Sequence, residues 1–479
     1  MRPRHAIRLV GLFLLLFSIT LIPPTLIAAY LHDGQVSTFT DSILLLTTLG
    51  LLLWYPTRSC RGNLLNRETF VVVALFWILL STLGSLPLYL GAHLDLTDAV
   101  FEAVSGFTAT GATTLASVDA LPKSIVMYRQ QLQWYGGLGI IVLAVAILPM
   151  LGVGGMQLYR AEIAGPMKDE RITSRVTQTA RFMLIIYVFL TIACASAYWL
   201  AGMTLFDAVG HSFATVSTGG FSTHDDGIAS FDNPAIDIVA IVFMLMGAIS
   251  FNTHFLAVHR FGPAIYWRDT QTRVFFSIVA LLIAITAGLL WISHSYGPVE
   301  ALRHGAFEAV SVITGTGFSG AFATWPLGLP LILMFASFIG GCAGSTTGGL
   351  KVIRLIVLSK VGLREMQRLI HPHMVRPIRL GERALPGRVL DAVWSFFSVY
   401  VVTFTLLILA VMATGVDHVT AFGAVAASLN NVGPGLGEVA TTFHDVNDGA
   451  KWLCTLAMLL GRLEIFTLLV LLTPAFWRK

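Results

Sequence analysis

The stretch "FEAVSVITGTGFS", residues 307–319, starts like a helix and then breaks into threonines, glycines and a serine, inside an otherwise apolar chain. Its first five letters also open "FEAVSGFTATGAT" at 101–113. Two further segments, "GHSFATVSTGGFS" (210–222) and "GAVAASLNNVGPG" (423–435), align with both on one glycine. The shared glycines are Gly111, Gly220, Gly317 and Gly433. Four residues before each stands a large apolar side chain (Phe107, Val216, Ile313, Leu429), and three before each a polar one (Thr108, Ser217, Thr314, Asn430). Asp98 and Asp207 each lie thirteen residues ahead of their glycine. A register kept over so many positions marks an internal repeat.

Around these segments the chain is unusually apolar. Of its 479 residues 56% are hydrophobic and 12% charged, half the roughly 25% charge of a soluble domain. Apolar runs near 9–30, 39–56, 69–91, 124–152, 180–201, 235–258, 274–293, 327–358, 390–414 and 452–473 approach or exceed the ~20 residues that cross a bilayer as helix. The first is too long for a signal peptide and lacks a small-residue cleavage site, so it reads as a retained helix. Between spans sit four segments too short to cross: 97–108, 205–216, 301–313 and 418–429. The expected fold is an all-α polytopic membrane protein, with ten transmembrane helices and four re-entrant pore half-helices in pseudo-fourfold span–pore loop–span repeats. Its parts are an amino-terminal two-helix hairpin (1–62) and pore repeats at 63–165, 166–270, 271–385 and 386–479, the third with a broken second helix.

Lysine and arginine set the orientation. Arg2, Arg4 and Arg8 begin the chain, and Arg58, Arg61 and Arg67 follow the second span. The stretch "YRAEIAGPMKDERITSRVTQTAR", the segment Arg260–Arg273, the nine cations from Lys351 to Arg388, and Arg478 with Lys479 complete one side. The other side has only Lys123, Arg129, Arg303 and Lys451, among acidic pieces such as "HLDLTD" and "HDVND". Both termini are therefore expected in the cytoplasm, with the four short segments entering from outside. The four cysteines, Cys60, Cys194, Cys342 and Cys454, are scattered and indicate no disulfide framework.

Non-helical backbone at membrane depth is tolerated only inside protein or along a water-filled cavity. Four glycine-spaced turns satisfy that rule together if they face one axis. Glycine allows close approach and left-handed dihedrals, and a ring of main-chain carbonyls replaces the hydration shell of an alkali cation. The short helices aim their partially negative carboxyl ends at the same point. Thr108, Ala109, Thr110 and Gly111, then Ser217, Thr218, Gly219 and Gly220, Thr314, Gly315, Thr316 and Gly317, and Asn430, Asn431, Val432 and Gly433 are the candidate cation-binding turns. Glu102 and Glu308 fall within the short helices, where they are expected to bond the scaffold rather than ions.

With "TATGAT", "STGGFS", "TGTGFS" and "NNVGPG" at its four turns, the chain resembles the TrkH/KtrB/HKT superfamily of potassium transporters over residues 60–479. The extra amino-terminal hairpin is similar to that of the TrkH branch. The resemblance implies a filter simpler than that of potassium channels, with K+ at its carbonyls and a glycine in every turn accompanying potassium selectivity. It also implies a bacterial inner-membrane homodimer governed by a cytosolic RCK/KTN subunit of TrkA type. The nucleotide (ATP, ADP or NAD) would act through that partner, this chain holding no covalent or organic cofactor. The loop Lys351–Arg388 is a candidate contact for the partner, or a membrane-surface anchor.

Two features fall inside the later spans. "GGCAGSTTGG", formed by Gly340, Gly341, Cys342, Ala343, Gly344, Ser345, Thr346, Thr347, Gly348 and Gly349, cannot hold a straight helix cheaply at roughly 1 kcal/mol per glycine. It reads either as a kink packed through small residues or as a flexible plug in the pore, and the resemblance implies the plug. Arg462 lies about 16 Å from either end of the last span if that span is one helix. It either pairs with a carboxylate on another helix or faces the pore. In the pore, at about 8 Å and an effective dielectric near 20, it would raise a cation's energy by roughly 2 kcal/mol, and the resemblance implies a basic residue there.

No P-loop and no GxGxxG after a strand appears, and "GVGG" at 152–155 lacks that context. "HPHMVRPIR" near 371 lacks the ligands of a metal set, and "HDDG" at 224–227 reads as an outer turn that weakly attracts cations. No convergent acid, base or nucleophile suggests an enzyme, and nothing suggests a nucleic-acid partner. The competing class is an ion-coupled secondary transporter, a K+/H+ or K+/Na+ symporter. Such carriers use broken helices and midplane sites, but paired inverted repeats with midplane carboxylates are not apparent.

Overall fold

The computed structural model describes residues 3–59, 66–142, 172–259, 262–318, 322–326, 328–381 and 383–478. Cys60, the boundaries expected at 62/63 and 165/166, most of the cation-rich stretch 159–181 and "GVGG" lie outside the described residues. The chain is a bundle of helices: α1 (Pro3–Thr20), α2 (Ile22–Leu31), α3 (Val36–Trp54), α4 (Asn66–Leu83), α5 (Leu86–Gly91), α6 (Leu96–Phe107), α7 (Lys123–Val142), α8 (Ile172–Leu200), α9 (Leu205–Val216), α10 (Pro234–Ala248) and α11 (Phe251–His259). They continue with α12 (Thr270–Ile292), α13 (Pro298–Ile313), α14 (Leu329–Ser337), α15 (Val352–Ile370), α16 (Gly387–Ala413), α17 (His418–Leu429), α18 (Asp448–Arg462) and α19 (Phe466–Leu472). A two-stranded antiparallel ribbon, β1 (Arg379–Leu380) with β2 (Arg383–Ala384), follows α15.

Among the described residues, six helical stretches are long and apolar enough to cross a membrane, and eight if each of two bent pairs counts as one. Their outward faces carry bare hydrocarbon, such as Leu52, Phe189, Leu200, Leu281 and Leu406. An apolar surface that extensive marks a lipid-facing one. The chain is an integral membrane protein.

Three second helices are broken where the sequence suggested only one break. The run at 327–358 is split as expected, α14 ending at Ser337 and α15 starting at Val352. The runs at 235–258 and 452–473, expected as continuous spans, are bent by 93° between α10 and α11 and by 113° between α18 and α19. Neither bend contains proline or glycine. At the first, Cys342 and Thr346 donate their amides to Ala248 (2.9 Å) and Gly247 (3.4 Å), while Phe251 donates to Gly344 (3.0 Å). At the second, Glu464 and Ile465 take positive φ of 54° and 50°. Tertiary partners satisfy the freed backbone groups, which is what makes such breaks tolerable.

The four short helices α6, α9, α13 and α17 span 12, 12, 16 and 12 residues. At 1.5 Å per residue the three shorter ones cover about 18 Å and α13 about 24 Å, all short of a ~30 Å hydrocarbon core. Their starts are fixed locally. Asp95 caps Asp98 N (2.8 Å), Thr204 caps Asp207 N (3.2 Å) and Asp417 caps Val419 N (2.8 Å), while Gly297 precedes Pro298 at the first turn of α13. Around them lie two buried apolar clusters. One joins α8–α15 to the start of α16, and the other joins the amino-terminal hairpin and α4–α7 to α16–α19.

Ion pairs staple the repeats. Lys451, counted from sequence as an outer-loop cation, is buried against Asp98 at 2.7 Å and ties α18 to α6. Arg303 on α13 reaches Asp237 on α10 at 2.6 Å. Arg129 on α7 donates Nε to Glu102 at 2.7 Å, both side chains fully enclosed. Removing one partner of a buried pair strands a charge, at a cost of about 3–5 kcal/mol, whereas replacing both with apolar groups is often close to neutral. Arg129→Met should therefore lower the unfolding midpoint in detergent well below wild type, and Arg129→Met/Glu102→Leu should recover most of the loss. Equal destabilisation by the single and double variants would remove the pair from this role.

Candidate functional site

Each short helix ends in the same manner. The amide two residues past its last polar cap reaches back across the final turn: Thr110 to Ser105 (2.8 Å), Gly219 to Ala214 (2.8 Å), Thr316 to Ser311 (2.9 Å) and Val432 to Ala427 (2.9 Å). This is a Schellman ending, which requires a left-handed residue. That residue is Ala109 (φ 49°), Thr218 (53°), Gly315 (69°) and Asn431 (54°). Only one of the four is glycine. Thr218, β-branched and thus unfavourable there, donates its hydroxyl to Ser217 O at 2.7 Å.

Two residues on, the aligned glycines are left-handed again: Gly111 (φ 86°), Gly220 (81°), Gly317 (69°) and Gly433 (96°). Their surroundings link the turns into a circuit. A Cβ on Gly111 would overlap Gly219 O, one on Gly220 would overlap Thr316 O, and one on Gly317 would overlap Val432 O. On Gly433 it would come within 2.8 Å of Thr110 O. Turn one thus leans on two, two on three, three on four and four on one. All sixteen residues named from the sequence are brought together.

Left-handed residues alternating with ordinary ones turn the amides back toward the helix and leave carbonyls facing away. The carbonyls of Thr110, Gly111, Gly220, Thr316, Gly317 and Gly433 accept no hydrogen bond from a described residue. Buried carbonyls are normally paired, so this group is available to a ligand. Side chains are used instead as struts. Thr108 and Thr314 bond Thr110 and Thr316 through their hydroxyls at 2.7 and 2.8 Å, and Asn431 Nδ2 crosses to Thr110 Oγ1 at 2.8 Å.

A second layer holds the turns from behind. Nine residues before the glycine stands Glu102, which accepts from the Thr113 hydroxyl (3.1 Å) and the Thr114 amide (3.0 Å) just beyond its own turn. Its counterpart His211 bonds Ser222 at 2.9 Å. Glu102 thus braces the scaffold as expected; Glu308 occupies the same register on α13 and is buried. Gln133 donates to Gly219 O (2.6 Å) and accepts from Phe221 N (3.1 Å), clamping the second turn. Sequence reading missed Gln133 and the pairing role of Arg129. The signal was there in "YRQQLQW" at 128–134, a polar string inside an apolar run. The "HDDG" turn is structural: His224 bridges Asp119 (3.0 Å) and Asp207 (3.4 Å), and Asp225 accepts from Ser117 at 2.7 Å. Partial burial pushes the Asp225 carboxyl up, but the Ser117 hydroxyl and the Val118 and Asp119 amides outweigh it and hold it below the usual carboxylate range.

The loop 340–349 presses against the end of the circuit nearest the helix termini. A Cβ on Gly348 would overlap Asn430 O, and Thr346 Oγ1 donates to Val216 O at 3.2 Å. The loop is held by its own bonds, Ser345 to Thr347 (2.8 Å) and Gly341 N to Thr347 Oγ1 (3.0 Å), and by one to α12, Ala343 N to Gln271 (3.1 Å). Gly340, Gly344 and Gly349 supply its left-handed turns, and Cys342 is buried within it.

Arg462 meets this loop directly. It is not at mid-helix, because α18 ends there, and a cation suits a helix carboxyl end. Its Nη1 donates to Thr346 O at 2.8 Å, while Nε and Nη2, also buried, have no partner among the described residues. Glu464, two residues further on, pairs with Arg354 at 2.6 Å. Lys351 bonds Thr347 Oγ1 at 3.0 Å. Lys351 and Arg354, counted as loop cations from the sequence, are therefore buried beside the loop.

The match over residues 35–479 to the family described as TrkH: Cation transport protein puts the chain among integral membrane cation-transport proteins. It is 52% identical over 485 residues to the Trk system potassium uptake protein TrkH of Vibrio parahaemolyticus, covering all of both chains. It is 50% identical over 480 residues to the protein of the same name from Escherichia coli K12, covering 99% of each. The crystal structure of the potassium transporter TrkH from Vibrio parahaemolyticus superimposes with a TM-score of 0.93 at 49% identity over the full length of both. The chain belongs to the TrkH family.

The circuit predicts unequal responses to alanine. Gly220→Ala combines a left-handed φ, costing about 1–2 kcal/mol, with overlap on a neighbouring carbonyl, and should sharply reduce yield and unfolding midpoint. Gly288→Ala, with nothing within 4 Å of its added methyl, should be neutral or gain up to about 1 kcal/mol. Thermal unfolding of both in one detergent checks the contrast, and equal behaviour would contradict the close approach.

Proposed function

We propose that the chain is a potassium uptake subunit that forms a K+-selective, gated permeation path through the bacterial inner membrane. In this reading there are ten spans, with 124–152 and 327–358 completing the count, and both termini are cytoplasmic. The short helices α6, α9, α13 and α17 enter from outside as pore half-helices. The observation that carries it is the closed circuit of glycines and carbonyls, with carbonyls that no described residue claims at the ends of four short helices. K+ sits at those carbonyls, and glycine at position 111 fits the potassium-selective pattern. The names of the relatives support potassium as the ion.

The loop Gly340–Gly349 acts as the gate, lying across the inner end of the filter. Arg462 holds it through Thr346 and places Nε and Nη2, which donate to no described residue, in the path, where a cation would be repelled. Flux is passive, driven by gradient and voltage. The subunit works as a homodimer with a cytosolic RCK/KTN partner, through which nucleotide acts.

Proteoliposome flux tests this. A K+ gradient and membrane voltage alone should drive uptake, and an obligatory second-ion gradient would favour a symporter. Gly317→Ser should lower discrimination of K+ over Na+; unchanged selectivity would unseat the filter. Arg462→Gln should raise K+ flux several-fold and up to about thirtyfold, the limit set by roughly 2 kcal/mol of repulsion, with the unfolding midpoint measured alongside. Unaltered flux from a folded variant would exclude Arg462 from the path.

A further inference from the structure

We propose that a cationic hollow at the end of α15 remote from the 340–349 loop binds the phosphate of an anionic phospholipid. The hollow has a volume of about 500 Å³ and is lined by Lys360, Arg364, Gln367, Arg376 and Arg379, with Leu363 at its side. Its four cations come from three places: the helix, the linker after it, and strand β1. Chain folding has brought like charges together that could have pointed into water separately.

Protein groups leave that charge mostly unbalanced. Lys360 donates to the Arg379 carbonyl at 2.7 Å and Arg376 to the Gln367 side-chain oxygen at 3.3 Å, both neutral acceptors. Glu365 pairs with Arg364 at 2.9 Å and with Arg368 at 3.1 Å. Among the described residues no carboxylate pairs with Lys360, Arg376 or Arg379. Guanidinium forks match phosphate oxygens in pairs, so a phosphate is the counter-ion that these side chains suit.

The neighbouring surface selects the source of that phosphate. Leu363, Met366 and Ile370 repeat at helical spacing on α15 and are 55%, 57% and 73% exposed, with Leu369 at 85%. A helix with bare aliphatic groups beside a basic hollow matches the headgroup boundary, where acyl chain and phosphate are offered together. By its lysine and arginine content this is the face expected at the cytoplasmic leaflet, where anionic lipids attract basic segments. A soluble phosphate compound would use the cations and leave the aliphatic groups in water.

Native mass spectrometry of the full-length protein with short-chain phosphatidylglycerol or phosphatidylcholine tests the assignment without any flux reading. Phosphatidylglycerol should be retained in preference to phosphatidylcholine. Arg364→Gln/Arg376→Gln/Arg379→Gln should weaken phosphatidylglycerol binding at least tenfold. Arg58→Gln/Arg268→Gln, at exposed basic positions outside the hollow, should leave it within twofold, and Arg379→Gln alone should weaken it two- to threefold should the triple variant misfold. Equal retention of both lipids, unaltered affinity in the hollow variants, or binding of inorganic phosphate or ADP with no phosphatidylglycerol would overturn the proposal.

Discussion

The structure depends on one constraint, the need to place irregular backbone inside a membrane protein without an edge. A single glycine turn at that depth would expose unpaired amides and carbonyls to hydrocarbon, at several kcal/mol per group. Four turns solve the problem only together. The amides fold back onto their own helix ends, and each glycine lies on the carbonyl of the next turn, Gly111 on Gly219 through to Gly433 on Thr110. No turn is self-sufficient. Carbonyls such as those of Gly220 and Gly433 accept no bond from a described residue, and in the proposed function a cation is their partner.

The same constraint accounts for the 340–349 loop. Breaking α14 from α15 releases main-chain groups, and bending α10 against α11 releases others. Each break completes the other: Cys342 N meets Ala248 O, and Gly344 O meets Phe251 N. The third break, after Arg462, is tied in by that arginine at Thr346 O and by Glu464 at Arg354. Three broken helices from three repeats therefore share a single hydrogen-bonded junction. Its compactness explains how ten residues with five glycines hold a defined shape.

Much of this was legible in the sequence, for physical reasons. The short helices were placed to within a few residues because polar caps and apolar faces are local signals: 97–108 against Leu96–Phe107 and 418–429 against His418–Leu429. Only Pro298 moved a boundary, drawing α13 forward from 301. The aligned glycines were found because they recur in one register, and the close approach of the turns favours glycine there. The bends at Ile249–Ser250 and Leu463–Ile465 were not legible, since no local breaker marks them and their cause lies in distant partners. Lys351 and Arg354 were misassigned for a related reason. Charge counting assumes that cations seek water, and here an enclosed junction supplies carbonyls and a carboxylate.

That junction also sets an electrostatic balance along the proposed path. The helix carboxyl ends and free carbonyls make the circuit favourable to a cation, while Arg462 and Lys351 lie just beyond it. A cation leaving the carbonyls meets positive charge whose strength depends on how much water shares the space. Arg462 is bonded to the loop backbone, so the repulsive group and the obstructing segment cannot shift independently. On the proposed reading, drawing Thr346 away would also free the guanidinium to turn or hydrate. A steric plug without the arginine would need only space to open, and an arginine without the plug would only slow passage. In the proposed gate the two are joined through one hydrogen bond, Arg462 Nη1 to Thr346 O, so steric and electrostatic obstruction would be released together.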